Sequence, residues 1–254
     1  MSSEISILDT TKQIDLSNSK EDVAAVIMKS IAGIVPFGGA FGEIISTIIP
    51  NQKMERVVDF LKILAYKLEN AERRIEQEEV KTAEYADLLE DAINQASRAT
   101  TPERLDYLAT MMKNGVTKED LDHFAKKRLL SLLGQLNDAE IILLKSYAFR
   151  IRHAGVEPYK DFYETHKNLL EPLPPARIGS QLSQDVVNQK AMRFNYETNL
   201  EKLGLIEDRF ENIKEGVLPK FDSKTGRVKS KSRACTSLGM LLLDHLDSLP
   251  PQSS

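Results

Sequence analysis

Residues 23–49 carry only two charges, Lys29 and Glu43, and are interrupted at their centre by Pro36-Phe37-Gly38-Gly39. An unbroken apolar run of about 20 residues would have the length of a membrane span. Pro36 removes a helical hydrogen bond, however, and the glycines after it favour a turn. The pattern therefore predicts two short apolar helices, residues 20–34 and 40–49, folded back on each other about a hinge at Pro36, Phe37, Gly38 and Gly39. Such a hairpin has to be sheltered, either as the inner pair of a helical bundle or against a lipid surface. Lys29 and Glu43 oppose deep insertion, since either charge at the bilayer centre costs roughly 3 kcal/mol on insertion scales.

Helical periodicity continues after the hairpin. Ser19-Lys20-Glu21-Asp22 has the form of a capping box for the first helix. Residues 52–79 place Met54, Val57, Leu61, Leu64, Leu68, Ala71 and Ile75 three and four apart, which predicts one long amphipathic helix after Pro50 and Asn51. Residues 82–99 repeat the spacing with Tyr85, Leu88, Leu89, Ala92, Ile93 and Ala96. Thr101-Pro102 opens a further helix as N-cap and first-turn proline, and Asn114-Gly115 is expected to close it. Thr117-Lys118-Glu119-Asp120 then starts another that ends near Gly134, and Asn137-Asp138-Ala139-Glu140 caps one reaching about His153. Pro158, Pro172, Pro174 and Pro175 mark a connection holding one short helix.

The C-terminal part has a different grammar. A helix over 183–203 ends in Leu203-Gly204-Leu205-Ile206, with Gly204 as its C-terminal cap. Two extended segments, 217–221 and 227–234, flank Asp222-Ser223-Lys224-Thr225-Gly226 as a hairpin, and Thr236 caps a last apolar helix. Helix, polar hairpin and helix in this order resemble the end of a winged helix, with 183–203 as reading helix and the hairpin as wing. The wing is basic: Lys220, Lys224, Arg227, Lys229, Lys231 and Arg233 are opposed by Asp222 alone, which suits contact with phosphate oxygens. Glu197 and Glu201 on the reading helix would be repelled by the same phosphates.

Taken together, the Pro-Phe-Gly-Gly hairpin, Ile49-Pro50-Asn51-Gln52 before a long amphipathic helix, Leu203-Gly204-Leu205-Ile206 and Thr236-Ser237-Leu238-Gly239-Met240-Leu241-Leu242-Leu243 resemble the bacterial Abi-alpha proteins. The resemblance covers most of the chain and rests on turn and core residues. It implies a role in abortive infection, a defence in which an infected cell stops growing or dies before phage is released.

The expected fold is mainly α: a disordered stretch 1–18, a helical bundle over 19–135 containing the apolar hairpin 20–49, a small α+β winged-helix-like domain over 136–247, and a disordered tail over 248–254. At 254 residues and 41% apolar content the chain can bury such cores without staples. Its single cysteine, Cys235, excludes an internal disulfide and suits a reducing compartment. The N-terminus has no basic region before an apolar core and does not read as a secretory signal. A cytoplasmic protein is therefore expected, peripheral to a membrane in the alternative where the apolar hairpin is sheltered by lipid.

Chemistry is sparse. The four histidines, His123, His153, His166 and His245, lack a second ligand at metal-binding spacing. Gly38-Gly39-Ala40-Phe41-Gly42 lacks the Lys-Ser/Thr ending of a phosphate loop, Glu79-Val80-Lys81 sits at a predicted helix end rather than on nuclease strands, and Arg150-Ile151-Arg152-His153 has the wrong separation for a helical ribonuclease. No catalytic residue, metal or cofactor is assigned, and a binding protein rather than an enzyme is expected. Its partners would be a second copy or another protein, a membrane surface through the apolar hairpin, or DNA through the basic wing. The net charge of −4 argues against coating nucleic acid with the whole surface.

Overall fold

The computed structural model describes residues 51–71, 82–118, 120–152, 157–172, 183–211, 218–221, 226 and 228–249. The apolar hairpin with its hinge at Pro36, Phe37, Gly38 and Gly39, the stretch 1–18 and residues 250–254 lie outside these, as do Ile75, Glu79-Val80-Lys81 and His153. Among the described residues the chain is mainly helical, with one small antiparallel sheet of two strands near the C-terminus. It divides into two compact units between Gly134 and Gln135.

In the first unit, helix α1 (Asn51–Glu69) packs against α2 (Ala83–Ala96) and α3 (Pro102–Thr117), which also pack on each other. Helix α4 (His123–Gln135) follows. Helix α2 buries Tyr85, Leu88, Leu89, Ala92, Ile93 and Ala96, the set its period of 3.6 singles out. Thr82 accepts the Tyr85 N–H at its start. In α1, Val57, Leu61 and Leu64 are buried as the spacing predicts, and Val58, Phe60 and Ala65 join them. Contact with two helices widens the buried arc beyond a single stripe.

Three boundaries differ from the sequence reading. Helix α1 ends at Glu69 rather than running on to 79: the Asn70 side-chain amide donates to the Tyr66 carbonyl at 2.8 Å, next to the Asn70 backbone N–H on the same oxygen. Helix α3 passes through Asn114-Gly115 and stops at Thr117, because Asn114 and Val116 are buried and the Asn114 carbonyl still accepts the Lys118 N–H. Helix α4 is capped by Asp122, whose Oδ1 accepts the Ala125 N–H at 2.8 Å, while the Thr117 hydroxyl bonds back to the Lys113 carbonyl.

The second unit is built around α5 (Asp138–Arg152), which packs against the sheet and three helices. Its start is a reciprocal capping box: Asn137 Oδ1 accepts the Glu140 N–H at 2.9 Å, and Glu140 Oε2 accepts the Asn137 N–H at 2.8 Å. Two helices, α6 (Glu157–Thr165) and α7 (Lys167–Leu170), occupy the stretch expected to hold one. Pro158 is compatible because it lies in the first turn, where its missing N–H has no helical partner to lose. Helix α8 (Gln184–Lys202), strand β1 (Ile206–Arg209), strand β2 (Ser232–Cys235) and helix α9 (Ser237–His245) complete the unit.

The strands also differ from expectation. Strand β2 pairs with β1, in the register Ile206 to Cys235 and Arg209 to Ser232, and not with a strand over 217–221. Further out, Phe221 and Val228 form an isolated antiparallel bridge. Leu205, Ile206, Ala234 and Cys235 are buried with Leu144, Leu200, Leu242 and Leu243, so the buried ends of the strands, rather than the polar outer segment, fix the pairing.

Candidate functional site

Helix α8 is held at both ends by local chemistry. Ser183 accepts the Val186 N–H, and at the other end Gly204 adopts φ +72°. The Leu205 N–H then returns to the Leu200 carbonyl at 2.9 Å, closing the glycine cap over two buried leucines. This turn delivers the chain into β1 and sets Asp208 opposite Arg233.

Around that pair lies a network of charges. Arg233 donates from Nε to Asp208 Oδ1 at 3.0 Å and from Nη1 to Glu197 Oε2 at 2.8 Å, and its Nη2 is 3.6 Å from Glu201. The other Glu197 oxygen accepts the Tyr147 hydroxyl at 3.0 Å and Arg193 Nε at 3.3 Å. Arg193 Nη1 also donates to the carbonyls of Leu169 and Glu171, each at 3.0 Å. Two residues beyond Glu197 along α8, Asn199 donates to Glu140 Oε1 at 2.9 Å. Burial pushes the Tyr147 phenol up to about 12, with the Glu197 carboxylate adding to the shift. Burial works against the Arg233 charge, but the Asp208 hydrogen bond and the Glu197 carboxylate outweigh it and hold the guanidinium above its usual value.

The candidate nucleic-acid contacts therefore divide. Arg233 is engaged by three carboxylates at the base of the hairpin and is not offered to phosphate. Lys220, Lys229 and Lys231 are exposed, with the Lys229 N–H bonded to the Lys220 carbonyl at 2.8 Å and the Lys231 N–H to the Arg209 carbonyl at 2.7 Å. Lys224 and Arg227 lie outside the described residues. Of the two glutamates on the predicted reading helix, Glu197 bonds to α5 and β2 and Glu201 lies beside Arg233, while Arg193 and Asn199 of the same helix bond to the end of α7 and to α5. The solvent side of α8 carries Val187, Met192 and Phe194, the last 67% exposed.

Exposed apolar side chains beside the lysines had no part in the sequence reading. Leu218 is 85% exposed, Phe221 59%, Phe210 53% and Val228 38%. The signal was present in the string Leu218-Pro219-Lys220-Phe221, where apolar and basic residues are interleaved.

A second cluster, in the first unit, was also missed. Lys127 donates to Asp87 at 2.8 and 2.6 Å, His123 Nε2 lies 3.1 Å from Asp87 Oδ2, and Asp91 is 3.7 Å from Lys127. The Lys127 hydrogen bond, aided by its charge and by His123, holds the Asp87 carboxyl below the usual carboxylate range against a desolvation cost. These groups join α2 to α4, and the 36-residue separation of Asp87 and His123 hides the pair from any local motif. Among the described residues no three His, Cys, Asp or Glu side chains are placed to hold a metal ion, and no helix is long and apolar enough to cross a membrane. No protein family, curated protein or solved structure matches the chain.

Proposed function

We propose that the chain is a non-enzymatic antiphage protein of the abortive-infection type, acting by binding rather than by catalysis. The family reading rests on the Abi-alpha resemblance of its turn and core residues. The binding mode rests on one observation: Glu197 takes Tyr147, Arg193 and Arg233 at once, so the inner face of α8 is fastened into its own unit while the hairpin lysines are exposed. In this reading the C-terminal unit is a winged-helix-like interaction module whose helix is structural and whose hairpin makes contact. The apolar helices predicted over 20–49 supply a second, membrane-active or partner-binding element in the cytoplasm.

The test is phage challenge of a bacterial host expressing the chain. Expression is expected to lower phage yield, and Phe37→Asp or Gly39→Leu at the predicted hinge is expected to restore it while the protein remains soluble and folded. Equal yields with and without the chain would reject the defence role. The three exposed lysines also favour a second reading, a regulator that holds duplex DNA by its phosphates. A gel shift that is lost on joint reversal of Lys220, Lys229 and Lys231 to glutamate, in a chain without effect on phage, would favour that reading.

A further inference from the structure

We infer that the two paired segments 218–221 and 228–231, which lie between β1 and β2 in the chain, form an attachment site for anionic membrane surfaces. The surface rests on the reading of the chain as a binding protein, but not on the defence role. It is formed by Leu218, Lys220 and Phe221 on one side and by Val228, Lys229 and Lys231 on the other. Phe221 and Val228 are directly paired, which puts their side chains on one face. Lys220 and Lys229 are the next pair inward, tied by the Lys229 N–H on the Lys220 carbonyl, and alternation turns their side chains to the opposite face. Leu218 lies two residues from Lys220 and is the most exposed large apolar side chain among the described residues.

Segments 218–221 and 228–231 contain three lysines and no acid, in a chain whose net charge is −4. This local cationic charge complements an anionic surface. DNA phosphates would satisfy the lysines but leave Leu218, Phe221 and Val228 in water. A bilayer interface that takes up the paired segments edge-on meets both faces: the apolar side chains enter below the headgroups, and the lysines on the face opposite Phe221 and Val228 reach lipid phosphates along their flexible stems. Each lysine near an anionic leaflet raises partitioning about fivefold, so three supply about a hundredfold, and the apolar side chains add contact that salt does not screen.

The full chain is tested by flotation with vesicles of phosphatidylcholine alone and of phosphatidylcholine and phosphatidylglycerol in equal parts. Flotation with the mixed vesicles, and little with phosphatidylcholine alone, is expected. Joint reversal of Lys220, Lys229 and Lys231 to glutamate should lower partitioning at least a hundredfold, and Leu218→Asp with Phe221→Asp at least tenfold. Unchanged thermal melts establish that both variants are folded, and Leu218→Ser with Phe221→Ser provides a milder substitution should the aspartates disturb the fold. The inference is overturned if the chain does not float, if either set of substitutions leaves flotation intact, or if lysine reversal removes only a DNA gel shift. Phage challenge of the same variants reads the defence role separately.

Discussion

At Gly239 a side chain has no room. A Cβ built there would collide with the Leu205 carbonyl oxygen and lie 2.7 Å from Cys235 Sγ and 3.2 Å from Leu144 Cδ1. The Leu205 carbonyl already accepts the Thr236 N–H at 3.0 Å, so it cannot withdraw without opening the joint between β1 and α9. Gly239→Ala should therefore lower the urea midpoint, by about 2–3 kcal/mol of stability. Gly115, with nothing within 4 Å of a built Cβ inside α3, is the matched control. Gly115→Ala should raise stability by about 0.5–1 kcal/mol. Both glycines were visible in the sequence, but their reasons were not. Gly115 looked like a helix stop next to Asn114, and Gly239 was a motif letter without a cause. Gly204 was legible because a leucine-flanked glycine after a helical run carries its explanation locally. Arg233 was read with the hairpin cations because its neighbours in sequence are basic. Its partners Asp208 and Glu197 lie 25 and 36 residues away, where spacing conveys nothing.

Between elements, the period of 3.6 identified the buried face of α2 in full because that helix has one polar side and one apolar side. Strand β1 escaped notice because Ile206-Glu207-Asp208-Arg209 is short, charged and poor in strand-forming residues. It forms because Ile206 is buried and because β2 offers the complementary edge. Helices α2 and α4 are joined by a different device, Asp87 held between Lys127 and His123. The folded Asp87 pKa is lowered, so its contribution is present above the unfolded carboxylate value near 4 and is lost as pH falls through the lower folded value. Asp87→Asn should cost about 0.5–1 kcal/mol at neutral pH, within the range of exposed pairs because the Asp87 side chain is 43% exposed. The difference from the parent chain in urea titrations should shrink below about pH 4 and vanish in stronger acid. A difference that persists unchanged there would assign the loss to packing instead of charge.

On the scale of the whole molecule, helical content and a change of architecture towards the C-terminus were legible from the spacing of leucines and the placing of glycine and proline. The role of α8 was not. Its sequence is polar, with only Leu200 buried, and a polar helix before a basic hairpin invites a reading as a solvent-facing recognition element. Its fixity comes instead from hydrogen bonds and ion pairs converging on Glu197 from α5, β2 and α8 itself. The assignment of contact to the hairpin and support to the helix depends on that convergence. It is tested most directly by a double-mutant cycle in the full chain with Glu197→Gln and Arg233→Gln, followed by urea unfolding. A coupling energy of about 1–2 kcal/mol is expected for this partly buried pair. Additivity within about 0.3 kcal/mol would contradict it, leaving Arg233 available to phosphate and α8 free to serve as a reading helix.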